Sequence, residues 1–154
     1  MSAEAPPPPH VAPELPAESP EWARPLPALD EAGREFWAAA ARGELVVQEC
    51  PACGHRQFYP RLACTVCGAT PGWLACSGRG VVHTFTVIRQ NHAKPFRNEL
   101  PYVVAVVELE EGPRMMGNVV DCPVEDVHIG MPVSVEFRQA DEAVGVPFWR
   151  PAAR

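Results

Sequence analysis

Cys50-Pro51-Ala52-Cys53-Gly54-His55, answered by Cys64-Thr65-Val66-Cys67-Gly68, is the stretch on which the reading of this chain turns. Each half is a C-x2-C pair followed by glycine, and ten residues lie between the pairs. Two such knuckles place four sulfurs at the corners of a tetrahedron, the arrangement Zn2+ takes in structural sites. The glycine after each pair allows the positive φ that the turn needs. Cys50, Cys53, Cys64 and Cys67 are therefore the expected ligands of a structural Zn2+. His55 is expected beside the site rather than in it, because four thiolates already complete the shell. A site closed by four protein ligands keeps no position for a reactive water.

The knuckles sit within short strands. Leu45–Glu49 leads into the first, Gln57-Phe58-Tyr59 returns from it and stops at Pro60, and Trp73-Leu74 follows the second. Residues 44–77 thus read as a zinc ribbon, too small to have much core and dependent on metal for its folding. Residues 30–43 read as a helix from Asp30, its N-cap, to Arg42, with Gly43 as the stop. Phe36, Ala39 and Ala40 form its apolar stripe, widened by Trp37 and Ala41. Residues 1–29 contain nine prolines and read as a disordered linker or extended arm. Trp22 and Leu26 are the residues through which such an arm would dock on a partner.

Downstream, residues 78–154 change to strand patterning. Val81–Arg89 alternates, with Val81, His83, Phe85 and Val87 on one face and Val82, Thr84, Thr86 and Ile88 on the other. Tyr102–Leu109 is almost continuously apolar. Arg114–Asp121 is interrupted by Gly117, which marks a bulge, a barrel corner or a close approach. Pro132–Arg138 alternates again, and the apolar tail Val146–Pro151 is expected to pack back onto the body. The fold class is therefore mainly β: an N-terminal helix, a rubredoxin-like zinc ribbon, then an OB-type barrel. His83 reads as a satisfied side chain on a barrel face, since no carboxylate or nucleophile accompanies it at a telling spacing.

Charge restricts the function classes. The 154 residues carry a net charge of -6, with 47% hydrophobic residues. Zinc ribbons and OB-folds both bind nucleic acid, so single-stranded nucleic-acid binding is the alternative to weigh. That activity needs a basic groove with exposed aromatics, which an acidic chain with apolar strands does not offer. An iron-bearing electron carrier would share the four cysteines and would be coloured. No apolar run is long enough to span a membrane, and no signal sequence is visible, so a cytoplasmic setting is expected. In that reducing setting the knuckle cysteines are ligands rather than bridges, and Cys76 and Cys122 are small buried hydrophobes.

Several short motifs recur in order: Glu35-Phe36-Trp37, Gly43-Glu44-Leu45, the two knuckles with Pro60-Arg61 between them, and Gly78–Thr86. Pro101–Ala105, Gly117–Asp121 and Ile129–Val133 continue the series. Across residues 30–151 the chain resembles the family long catalogued as domain of unknown function 35, a zinc ribbon joined to an OB-fold. It also resembles the C-terminal domain of the steroid side-chain enoyl-CoA hydratase subunit that partners a thiolase-like aldolase. Where many of the family have Tyr, this chain has His83. The resemblance implies an accessory or scaffolding subunit of an acyl-CoA enzyme. Its partner would be a thiolase-like aldolase making a retro-aldol cleavage, a thiolase, or a hotdog-fold enoyl-CoA hydratase. Residues 1–29 would then suit a linker from a fusion. CoA phosphates would call for cations, and Arg79, Arg89, Lys94 and Arg97 are the candidates. Phe36, Trp37, Phe96, Phe148 and Trp149 are the candidate partner anchors.

Overall fold

A computed structural model describes residues 22–153. Three antiparallel strands build the ribbon: β1 (Val46–Glu49) lies between β2 (Arg56–Gln57) and β3 (Gly72–Ala75). Five more close the barrel: β4 (Arg79–Ile88), β5 (Tyr102–Leu109), β6 (Arg114–Val119), β7 (Pro132–Gln139) and β8 (Gly145–Pro151). Their order is β4-β5-β6-β8-β7, antiparallel throughout except for the β6–β8 pair. Helix α1 (Arg34–Ala41) precedes the ribbon, and a four-residue helix α2 (Lys94–Arg97) interrupts the β4–β5 loop. The fold is the expected one, mainly β, with a barrel of OB type. Among the described residues, no helix is long and apolar enough to cross a membrane.

Helix α1 begins four residues later than Asp30. The Asp30 carboxylate does accept a backbone hydrogen bond, from Gly33 N–H at 2.7 Å, but this closes a turn ahead of the helix. The small residues of α1 decide how it packs. A Cβ on Gly145, at the start of β8, would lie 2.3 Å from the Ala40 carbonyl oxygen, so helix and strand touch backbone to backbone. Phe36, Ala39, Leu45 and Val47 then share one continuous core with Val82, Val107, Met115 and Trp149 of the barrel. Helix, ribbon and barrel are thus packed as one body around shared apolar side chains.

Strand β4 departs from simple alternation. Val82 pairs with Val107 and Thr84 with Val106, so His83 is an extra residue, a β-bulge. The bulge reverses the phase: Val82 points inward before it, and Phe85 and Val87 pack on the core after it. Val81 and His83 therefore do not share the face of Phe85, as strict alternation implied. Gly117 answers a close approach by a side chain. A Cβ there would sit 2.9 Å from Cδ1 and Nε1 of the Trp149 indole.

The tail expected to pack back on the body is a full barrel strand. Consecutive residues of β8 are both buried, Trp149 (0% exposed) in the barrel core and Phe148 (1%) on the outer side. What covers Phe148 is the chain's own N-terminal arm. Trp22 meets it edge-on, ring centroids 6.2 Å apart, and Leu26 packs on the same cluster. The disorder expected through residue 29 therefore does not extend over residues 22–29. Apolar contact with Phe148, Ala140 and Val144 offsets the ordering entropy there. Residues 1–21 lie outside the described residues.

Candidate functional site

Both knuckles are built by the same backbone device. Gly54 N–H bonds to Cys50 C=O at 2.8 Å and Gly68 N–H to Cys64 C=O at 2.9 Å. Each glycine sits at positive φ, +72° and +76°. The turns are closed by Cys50 N–H on His55 C=O and Cys64 N–H on Ala69 C=O, each 2.8 Å. One cysteine of each pair is buried, Cys50 and Cys64, while Cys53 and Cys67 face outward.

The four sulfurs converge. Cys50 Sγ lies 3.5 Å from Cys67 Sγ, Cys53 Sγ lies 3.7 Å from Cys64 Sγ, and all four ligand atoms fall within 4.8 Å of one another. A tetrahedral ion with Zn–S bonds of about 2.3 Å needs sulfurs roughly 3.8 Å apart. The donor set fits Zn2+ in chemistry and in spacing. Electrostatics point the same way. Backbone N–H groups of Cys67 and Val66 draw the Cys64 thiol down to about 6. At Cys53 the His55 N–H pulls downward too, but hydrogen bonding with Cys67 and the crowding of the other thiols outweigh it and push Cys53 up to about 12. Zn2+ binds cysteine as the thiolate, so metal binding at this cluster is coupled to loss of the thiol protons. His55 is not among the converging ligands; its Nε2 lies 3.1 Å from Thr65 Oγ1.

A buried amide pair holds the second knuckle to the first hairpin. Gln48 donates through Nε2 to Arg61 C=O and accepts on Oε1 from Arg61 N–H, both at 2.8 Å. Gln57 donates to Gln48 Oε1 at 2.8 Å and accepts from Thr65 N–H at 2.9 Å. These two glutamines sit on β1 and β2, paired in register. They were not singled out from the sequence. The signal available was their position, polar residues in short strands flanking the first knuckle.

The ribbon is tied to the barrel by polar contacts as well. Arg56 pairs with Glu49 at 2.6 Å and reaches Glu111 C=O at 3.1 Å, while Ser77 N–H bonds to the Glu111 carboxylate at 2.7 Å. Between them opens a groove of about 540 Å3, lined by Arg56, Tyr59, Arg61, Glu108 and Arg114 among others. Arg114 there is paired with Glu108 at 3.0 Å.

The four candidate CoA cations separate into two places. Arg79 begins β4 and is held by Glu110 at 2.9 Å, its guanidinium facing a carboxylate that is drawn below its ordinary range by that contact. Arg89, Lys94 and Arg97 lie beyond the other end of β4, about 30 Å of extended chain away. Arg79 therefore does not join them. Arg89, Lys94 and Arg97 are exposed on the β4–β5 loop side, with Arg97 donating to His92 C=O at 2.9 Å. Of the five candidate anchors, Phe36 (3% exposed), Phe148 and Trp149 are core side chains and have no surface to offer a partner. Trp37 and Phe96 are half-buried and remain at the surface.

Comparison with known proteins agrees with this architecture. Residues 37–71 match the family "ChsH2, rubredoxin-like zinc ribbon domain", and residues 73–138 match "ChsH2, C-terminal OB-fold domain". A probable enoyl-CoA hydratase alpha subunit of Thermomonospora curvata is 34% identical over 88% of this chain, which spans 42% of that relative's length. A DUF35 domain-containing scaffold protein of Methanocaldococcus jannaschii is 40% identical over 64% of this chain and 70% of its own. Among solved structures, a chain of the Ltp2-ChsH2(DUF35) aldolase superposes with a TM-score of 0.76 at 34% identity. That match covers 83% of this chain and 100% of that one.

Proposed function

The chain belongs to the DUF35 family of ChsH2-type zinc-ribbon and OB-fold scaffold proteins, and from that membership we propose that it supports a thiolase-fold aldolase. In this reading the chain binds the aldolase as its obligate small subunit and is not catalytic alone. The reaction served is retro-aldol cleavage of an acyl-CoA adduct, with steroid side chains the first substrate class to test. The observation that carries the reading is the likeness to a chain of the solved Ltp2-ChsH2(DUF35) aldolase, complete over that chain at TM-score 0.76. A hotdog-fold hydratase is a further partner to test, because the Thermomonospora relative bears a hydratase-subunit name.

The chain's own chemistry supports a scaffold. Its metal site is closed by four sulfurs, so the ion's contribution is folding energy, on the order of 10 kcal/mol for such sites. Trp37 and Phe96 are the aromatic anchors proposed for the partner, and Arg89, Lys94 and Arg97 the cations proposed to face CoA phosphates. Co-expression with a thiolase-fold aldolase, followed by size exclusion and an aldol-cleavage assay, tests the proposal. Co-elution with activity that falls when this chain is omitted is expected. Separate elution with unchanged activity would overturn it.

A further inference from the structure

We propose that residues 22–29 and the 91–101 loop are the two halves of a latch closed by Arg24, so that loosening either half loosens the other. The inference stands independently of the aldolase reading, since every group it uses lies within this chain.

Arg24 comes from an arm with no regular secondary structure, yet its side chain is only 14% exposed. The guanidinium donates through Nε to Glu99 at 3.2 Å and through Nη2 to the second Glu99 oxygen. Through Nη1 it donates to Asn118 Oδ1 at 2.8 Å, and Asn118 in turn donates to Val103 C=O at 2.9 Å. Its Cζ also lies 5.1 Å from the ring centroids of both Phe96 and Phe148. Two of these partners, Phe96 and Glu99, belong to the loop. The others belong to the barrel wall. One planar cation therefore joins arm, loop and wall, using the fork geometry and the ring-stacking that a guanidinium offers and an ammonium does not.

The loop has little else to hold it. None of the α2 residues is buried. Among the described residues, its other side-chain ties to the body include Asn91 Nδ2 donating to Tyr102 Oη at 2.9 Å and the Phe96–Tyr102 ring pair at 6.1 Å. The arm is held in turn by Trp22, 8% exposed against Phe148, and by Arg24. Removing Glu99 leaves a largely desolvated guanidinium without its counter-charge, which favours release of the arm. Removing Arg24 leaves Phe96 and Glu99 without the group they close on. Because the coupling is an equilibrium quantity, it acts in both directions. A partner that engages Lys94 or Arg97 on the loop is thereby linked to the docking of the arm.

The test uses the zinc-loaded full chain and two independent readouts. Arg24→Ala is expected to raise amide hydrogen exchange across residues 93–99 at least tenfold, with β5 unchanged. Glu99→Gln is expected to raise chymotryptic cleavage after Trp22 at least tenfold, with zinc content unchanged. The charge swap, Arg24→Glu with Glu99→Arg, is expected to restore part of both protections. Exchange or cleavage that changes only on the substituted side would overturn the proposal, as would a swap that restores neither.

Discussion

Gly145 and Ala40 are in backbone contact, with room of only 2.3 Å between the Ala40 carbonyl oxygen and any Cβ placed on Gly145. This is where helix α1 is seated on the barrel, and it explains why the helix is built from Ala39 and Ala40 on that side. Gly145→Ala meets backbone, which cannot rotate away. The expected cost is about 3 kcal/mol, read as a fall in Tm of roughly 10 °C for a domain of this size. Gly43→Ala is the matched control. Gly43 has φ of +79° but open space around it, so only the left-handed strain of about 1 kcal/mol applies. Equal effects of the two substitutions would show that the helix seat is not this contact.

Gly117 and Trp149 form a second close pair inside the barrel, 2.9 Å from a would-be Cβ to the indole. Gly117→Ala is expected to destabilise by about 2 kcal/mol through overpacking. Trp149→Phe removes the indole edge that the new methyl strikes. The double variant should therefore be less destabilised than the sum of the two singles, a coupling measurable in a chemical-denaturation cycle. Strict additivity would place the clash elsewhere.

Gln48 satisfies both backbone groups of Arg61 from a nearly buried position. Gln48→Ala leaves those groups and the Gln57 amide short of partners. A loss of about 2–3 kcal/mol is expected, together with weaker zinc retention against a chromophoric chelator, because the 60–65 segment carries Cys64. Unchanged zinc retention would show that the amide pair does not position the second knuckle.

Cys76 gives the chain a defined response to alkali. Burial, with the Glu111 carboxylate beside it, pushes its thiol from 9.0 up to about 12. The unfolded chain therefore releases this proton at a lower pH than the folded one. Stability is fully present below about pH 9 and falls as pH rises from there toward 12. Cys76 is only partly buried, which reduces the size of the effect. Cys76→Ala should flatten the alkaline limb of the stability curve relative to wild type. Parallel curves would exclude Cys76 as a source of the slope.

The metal centre was legible because a C-x2-C-G knuckle is a local object: ligands, turn and positive-φ glycine lie within five residues. The barrel strands were legible from their branched residues, and the resemblance of the ordered motifs extended this to the whole architecture. What escaped was non-local. His83 alternates smoothly with its neighbours in sequence, and only the pairing of Val82 with Val107 and of Thr84 with Val106 leaves it as a bulge. Phe148 and Trp149 read as candidate partner anchors in a tail packed on the body, because large aromatics dominate protein contacts, yet both are buried within the chain itself. The arm that covers Phe148 is 126 positions earlier at Trp22, a distance no local pattern spans. Gln48 and Gln57 carried no motif, and their role follows only from the register of β1 with β2.

In the function proposed here, the zinc clip maintains one packed body whose surfaces, rather than its metal, meet the partner. The decisive experiment is native mass spectrometry of the chain mixed with a thiolase-fold aldolase, the proposed partner, comparing zinc-loaded protein with a Cys53→Ser, Cys64→Ser variant. A complex carrying one zinc per copy of this chain is expected, and no complex from the variant, which is expected to lose zinc and folded stability together. A metal-free variant that stayed folded and still bound the aldolase, or zinc-loaded protein that bound no aldolase at all, would contradict it.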